Sequence, residues 1–244
     1  MTFPITLFGI HLHLIFEILA YSIGYRYYVF IRNKTTDLIN DEGRLWIFIG
    51  AAAGAFLGSH ILGILENPFR LNQLNLVYFM GNKTIVGGLL GGLVGVEITK
   101  KIISINSSSG DLMTFPIILA LSIGRLGCFS EGLEDGTFGI PTALPWGINF
   151  GDGLYRHPTQ LYEIFFLIML GISIYLLEKR VFLTNGSRFK VFMVSYLAFR
   201  LLIEFIKPNK FYSFGLCSIQ IACIFGLIYY WKVLFMPQKM IQHV

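Results

Sequence analysis

Arg200 and Glu204 stand four residues apart in a largely apolar stretch, residues 189–206, and Arg125 and Glu163 lie in two other such stretches. On a helix, positions i and i+4 share a face, so Arg200 and Glu204 point the same way. A charge at mid-bilayer costs roughly 2.5–3.5 kcal/mol, and chains keep one there where it meets a partner or a cavity. Two arginines with carboxylates suit an anionic phosphate, because the guanidinium fork binds phosphate oxygens in pairs and stays charged. The plainer reading is a self-neutralising pair that holds two helices together. Glu17, with His11, His13, Tyr21 and Tyr25 around it, and His60, Glu66 and Glu97 complete the set of costly groups.

These groups need a membrane frame. Of 244 residues, 55% are hydrophobic and only 14% charged, against about 25% charged in soluble domains. A soluble globule of this length has too little interior to hide that apolar surface. The net charge of +5 does not indicate nucleic acid, since the basic residues are scattered over short segments without a recognition motif. Cys128, Cys217 and Cys223 show no metal-ligand spacing, so neither a disulfide framework nor a zinc site is expected. The N-terminus lacks a basic segment followed by a cleavage site, so no signal peptide is expected.

A bilayer core takes about 20 apolar residues per helix. On that ruler the chain is all-α, a single transmembrane domain with about seven spans at residues 8–30, 45–65, 84–98, 112–129, 160–177, 189–206 and 214–235. Eleven of the nineteen basic residues fall on one side of this arrangement and five on the other. The excess predicts an external N-terminus and a cytoplasmic C-terminus. It also places a long polar loop, residues 130–158, outside; loops of that length are usually functional.

Two further segments bear on a site. In 84–95, TIVGGLLGGLVG, glycines 87, 91 and 95 recur every fourth residue, as in close helix packing. Bare backbone at Gly87 and Gly88, with Lys83 at the mouth of the segment, would equally let a lipid headgroup approach. RHPTQLYE, residues 156–163, reads as a helix start with Pro158 in its first turn. Taken alone, His157 there is a hydrogen-bonding structural group.

GRLGCFSEGLEDG (124–136), RHPTQLYE (156–163) and FRLLIEF (199–205), in this order on seven spans, resemble the prolipoprotein diacylglyceryl transferases. In that family's signature Arg125, Gly127, Phe129 and Gly136 match. Cys128 and Glu131 stand where the family has Asn, Leu133 where it has Glu, and Val86 where it has His before a glycine pair. Arg200 and Glu204 match its late Arg-x-x-x-Glu.

The resemblance implies a multi-pass enzyme of the bacterial inner membrane, with its site toward the external side. Such an enzyme moves the diacylglyceryl group of phosphatidylglycerol, or a related anionic phospholipid, onto the lipobox cysteine of a prolipoprotein and releases glycerol 1-phosphate. Arg125 and Arg200 would hold the phosphodiester, with Glu204 orienting Arg200. Lys83, Gly87, Gly88, Gly127, Gly136, Gln160, Tyr162 and Glu163 would line the substrate. The acceptor thiol must lose its proton, and Glu134, Asp135, His157 and Glu131 are the candidate bases. No metal or redox cofactor is implied. Rival readings are a lipid-binding or assembly protein on the same fold and a transferase with another acceptor. A transporter fits poorly, because no internal repeat is visible and the charges gather toward one side.

Overall fold

The structure, a computed structural model, describes residues 3–66, 76–209 and 211–241. Two short strands, β1 (Thr6–Leu7) and β2 (Ile10–His11), lead into α1 (Leu12–Lys34), α2 (Asp41–Leu65), α3 (Leu76–Gly81), α4 (Ile85–Ile102) and α5 (Asp111–Glu131). After β3 (Ile148–Asn149) and β4 (Tyr155–Arg156) come α6 (Thr159–Arg180), α7 (Ser187–Ile203) with a 3-10 turn over Glu204–Ile206, α8 (Ser218–Tyr229) and α9 (Trp231–Phe235). Among the described residues the strands form two two-stranded sheets, β1–β2 and β3–β4, with a further bridge from Arg156 of β4 to Pro141, so the expected all-α class is amended by two small hairpins. Short α3 was not expected.

Local sequence sets the helix ends. Asn40 caps α2 by accepting the Gly43 N–H at 2.9 Å, and Thr84 caps α4 through the Gly87 N–H at 3.2 Å. Basic residues close α1, α4 and α6, at Arg32 and Lys34, Lys100 and Lys101, and Lys179 and Arg180, where they complement the helix dipole.

Among the described residues, four helices are long and apolar enough to cross a membrane: α1, α2, α5 and α6. The chain is a polytopic, mainly helical membrane protein. The remaining expected spans fall on α4, α7 and α8, which are shorter. Two boundaries are corrected. The first helix starts at Leu12, not at residue 8, because Phe8 and Gly9 adopt φ of 51° and 79° in the β1–β2 turn. The last predicted span is interrupted. A turn closed by the Gly215 N–H on the Tyr212 carbonyl (2.8 Å) precedes α8, and the chain breaks again at Tyr230.

Contacts between helix ends define two rims. The starts of α1, α4, α6 and α8 meet the ends of α2, α5 and α7 on one rim. His11 reaches Glu131 there, the Thr84 N–H bonds the Ser59 carbonyl, and Ser218 bonds the Leu65 carbonyl. The opposite rim holds the reverse ends. Arg44 grips Asp37 with two bonds of 2.7 Å and donates to the Ser109 carbonyl at 2.9 Å. Burial of Asp37 opposes its ionisation, but bonds from Arg44, the Ile39 N–H and Arg32 prevail and hold its carboxyl below the usual carboxylate range. Asp111 accepts from the backbone N–H groups of Gly186 (2.5 Å) and Phe189 (3.0 Å), fixing the start of α7.

The periodic glycines of α4 are packing residues. Gly87, Gly91 and Gly95 lie against Gly58, Gly54 and Gly50 of α2, so closely that a Cβ on Gly91 would stand 2.3 Å from the Gly54 carbonyl oxygen. Substituting Gly91→Ala is expected to destabilise the protein by about 2–3 kcal/mol, read as a lowered melting temperature in detergent. Melting at the parent temperature would show that the seam is slack. Gly88 points elsewhere. It lines an apolar cavity of about 270 Å³ with Arg44, Phe48 and Phe189 near the opposite rim. Gly87 thus packs against α2, and Gly88 lines this cavity.

Candidate active site

The site is built from α5, α6 and α7 near the rim that carries Glu131 and Ser218. Tyr196, Arg200 and Glu204 follow one another at intervals of four, so one stripe of α7 and its terminal turn presents all three. Glu163 enters from the second turn of α6 and Arg125 from the penultimate turn of α5. All five are buried, and Tyr196 and Glu204 are fully so.

Glu163 is the hub. One oxygen, Oε1, accepts the Tyr196 hydroxyl at 2.6 Å. The other, Oε2, lies 3.3 Å from Arg200 Nη1 and 2.9 Å from Arg125 Nε. Arg200 continues outward through Nη2 to Glu204 Oε1. Glu204 is held further by Lys207 Nζ at 3.5 Å and by Asn209 Nδ2 at 2.6 Å. The chain of alternating charge thus runs Arg125, Glu163, Arg200, Glu204, Lys207. Glu66, at the end of α2, lies within electrostatic range of its outer part.

Several donors in this cluster are left over. Arg200 Nε is buried with no hydrogen-bond partner. Arg125 Nε is close to Glu163, yet its N–H is not directed at that carboxylate and makes no hydrogen bond. Gln160, one turn before Glu163 and 1% exposed, has both amide atoms buried and unpartnered. Buried polar groups in folded proteins are nearly always bonded, and each exception needs a reason. Two guanidinium donors and a free amide form a polar lining suited to an oxygen-rich anion.

The long loop closes over this rim. The Ile140 N–H bonds the Ile206 carbonyl at 2.9 Å, the Gly139 N–H bonds the His157 carbonyl at 2.9 Å, and Thr159 donates to the Thr137 carbonyl. His157 Nδ1 lies 3.2 Å from the Tyr162 hydroxyl, which also accepts from Trp146 Nε1 at 2.8 Å. His157 and Tyr162 therefore brace the loop against α6 and do not join the arginine cluster. Gly136, with φ of 68°, serves the turn after α5.

Glu134 is likewise placed apart, grouped with His11 and Glu131; His11 Nδ1 lies 3.0 Å from Glu131 Oε1. Lys83 Nζ bonds Glu17 Oε1 at 2.9 Å on the α1 side of the rim. Gly127 faces α1, where a Cβ would stand 3.1 Å from Phe16 Cβ and 3.3 Å from the His13 backbone. Val86, at the position of the resembled family's histidine, is a fully buried core residue. Lys207, one residue beyond the expected span 189–206, is buried in the cluster. Sequence reading also missed Tyr196 and Asn209. The spacing of Tyr196 to Arg200 carried a signal for the first, and Asn209 had none. Finally, the three cysteines are unpaired, but Cys128 does not stand alone. Arg125 Nη1 lies 3.7 Å from its sulfur, and His13 and Asp135 flank its other side.

The family model described as prolipoprotein diacylglyceryl transferase matches residues 1–236. Among similar curated proteins is the phosphatidylglycerol–prolipoprotein diacylglyceryl transferase of Bordetella bronchiseptica, 32% identical, with 82% of this chain and 78% of the relative covered. The proteins of that name from Campylobacter lari (29% identical; 75% and 72% covered) and Acaryochloris marina (29%; 80% and 74%) are also similar. These matches favour an enzyme over a lipid-binding protein without activity. Two arginines interlocked through one buried glutamate, in a polytopic membrane protein matched along nearly its whole length, place the chain in the prolipoprotein diacylglyceryl transferase family.

Proposed function

We propose that this transferase moves the diacylglyceryl group of phosphatidylglycerol onto the lipobox cysteine of a prolipoprotein. The observation that carries this reading is the set of buried, unpartnered donors at Arg125, Arg200 and Gln160. A phosphodiester would complete their bonding. As the bond from the glyceryl carbon to the phosphate oxygen breaks, negative charge grows on the departing glycerol phosphate. Fixed guanidinium donors stabilise that charge without reorganising, an effect that commonly dominates catalysis. Glu163 and Glu204 hold the two arginines in place, and Tyr196 fixes Glu163.

The chain is read as one membrane domain with seven spans, α1, α2, α4, α5, α6, α7 and α8 with α9, in the bacterial inner membrane. The rim with the site faces outward. Supporting this, the opposite rim carries Arg32, Lys34, Arg44, Lys100, Lys101, Lys179, Arg180, Arg188 and Lys190. On the site rim, Lys83 is paired with Glu17, Arg156 with Asp152, and Lys207 is buried with Glu204.

The test uses the full chain in vesicles with glycerol-labelled and acyl-labelled phosphatidylglycerol and a lipobox peptide. The expected result is acyl label on the peptide cysteine and glycerol phosphate released in equal amount. A peptide with serine in place of cysteine should gain none. The absence of both labelled peptide and released glycerol phosphate would overturn the reading.

A further inference from the structure

Beside the arginine cluster lies a second polar group that the phosphate chemistry does not use. It joins His13 of α1, Cys128 in the last turn of α5 and Asp135 in the following loop. One ligand atom from each lies within 4.8 Å of the other two. His13 Nδ1 is 4.0 Å from Asp135 Oδ1, is buried, and has no hydrogen-bond partner. The other ring nitrogen, Nε2, faces Glu17 Oε2 at 4.0 Å, and Lys83 anchors that carboxylate. Gly127 allows this meeting, since a side chain there would push the His13 backbone away.

One nitrogen, one sulfur and one carboxylate oxygen form a donor set suited to zinc. Bonds of about 2.0–2.3 Å to a tetrahedral ion would bring the ligand atoms to roughly 3.5 Å from one another, a contraction of about 1 Å within reach of side-chain rotation. A histidine ligand characteristically donates the proton of its second nitrogen to a carboxylate; Glu17 Oε2, now 4.0 Å from His13 Nε2 without a hydrogen bond, would have to close on it when the ion binds. Three protein ligands leave a fourth position open, which marks a catalytic zinc and not a structural one.

We infer that His13, Cys128 and Asp135 bind a zinc ion whose open position receives the acceptor thiol. A thiol bound to zinc loses its proton, here to solvent at the rim. The resulting thiolate sulfur forms a bond to the glyceryl carbon. The bond from that carbon to the phosphate oxygen breaks with its electron pair going to the oxygen, and glycerol phosphate leaves as the anion held by Arg125 and Arg200. No electron is gained or lost overall. Cys128 lies between the two groups, 3.7 Å from Arg125 Nη1, so the activated sulfur and the departing phosphate meet at one place. The acceptor role of the zinc rests on the transferase reading; its binding does not.

The test is metal analysis of the purified full chain in detergent, repeated after exchange into cobalt(II). About one zinc per chain is expected, with a sulfur-to-cobalt charge-transfer band in the near ultraviolet. Cys128→Ser and His13→Ala should lose both metal and band, whereas Cys217→Ser should keep both. Glu17→Gln should weaken zinc binding by about 10–100-fold. Adding a lipobox peptide should intensify the cobalt band, and a serine peptide should not. The inference is overturned by a chain without stoichiometric metal, by zinc that survives Cys128→Ser on His11, Glu131 and Glu134, or by a cobalt spectrum indifferent to the thiol. Circular dichroism and melting of each variant separate loss of ligand from loss of fold. Label transfer undiminished in metal-free protein would reject the zinc and leave the transferase reading standing. Zinc binding and a thiol-dependent cobalt band without any transfer would reject that reading and the zinc's catalytic role with it.

Discussion

Arg125→Ala should lower the initial rate of transfer from phosphatidylglycerol by about 10²–10³-fold, the usual cost of removing one fixed donor to a developing anion. The side chain is 4% exposed, so no water-facing residue can take its place. Its N–H groups also have a geometry that lysine lacks, and Arg125→Lys should recover only a small part of the rate. The protein itself should survive, because Glu163 keeps Tyr196 and Arg200 as partners. The decisive measurement is the initial rate at saturating lipid, normalised to protein in the membrane. A rate close to the parent's, from well-inserted protein, would remove Arg125 from the site.

Glu163→Leu should act on stability before it acts on rate. Its carboxylate lies against two buried arginines, and taking away one member of a buried ion pair typically costs about 3–5 kcal/mol, since the remaining charge is left without compensation. Here two arginines and the Tyr196 hydroxyl lose their partner together. The expected result is a chain that accumulates poorly in the membrane and melts well below the parent in detergent. Glu163→Gln should melt closer to the parent, because the amide oxygen still accepts a hydrogen bond, yet it should lose most transfer as the arginines drift. Equal melting of the leucine variant and the parent would mean that the arginines do not depend on Glu163.

Much of this was visible in the sequence, for physical reasons. Apolar length and glycine spacing announce helices and their packing, because the bilayer and close backbone approach impose those patterns locally. Arg125, Glu163, Arg200 and Glu204 were legible because a charge in an apolar stretch is expensive wherever it sits. Lys207 carried no such signal: beyond the end of a span, a lysine costs nothing on paper, and only the fold buries it beside Glu204. The grouping of His13 with Cys128 and Asp135 could not be read at all. More than a hundred residues separate the histidine from the other two, and their meeting depends on how α1 crosses α5 at Gly127. His157, read by itself as a hydrogen-bonding structural group, bonds Tyr162 and braces the loop; Glu134, a candidate base through the resemblance, lies at the exposed edge beside His11 and Glu131, a direction that side-chain identity does not reveal.

The seam between α2 and α4 bears on how a two-tailed lipid is admitted. Contact there is made by backbone, and glycines have no rotamers to lose when helices associate. The same absence leaves nothing flexible to slide or repack, so the two helices must tilt or shift as one body. On the proposed function, room for acyl chains would have to open at boundaries lined by larger side chains, whose torsions can yield.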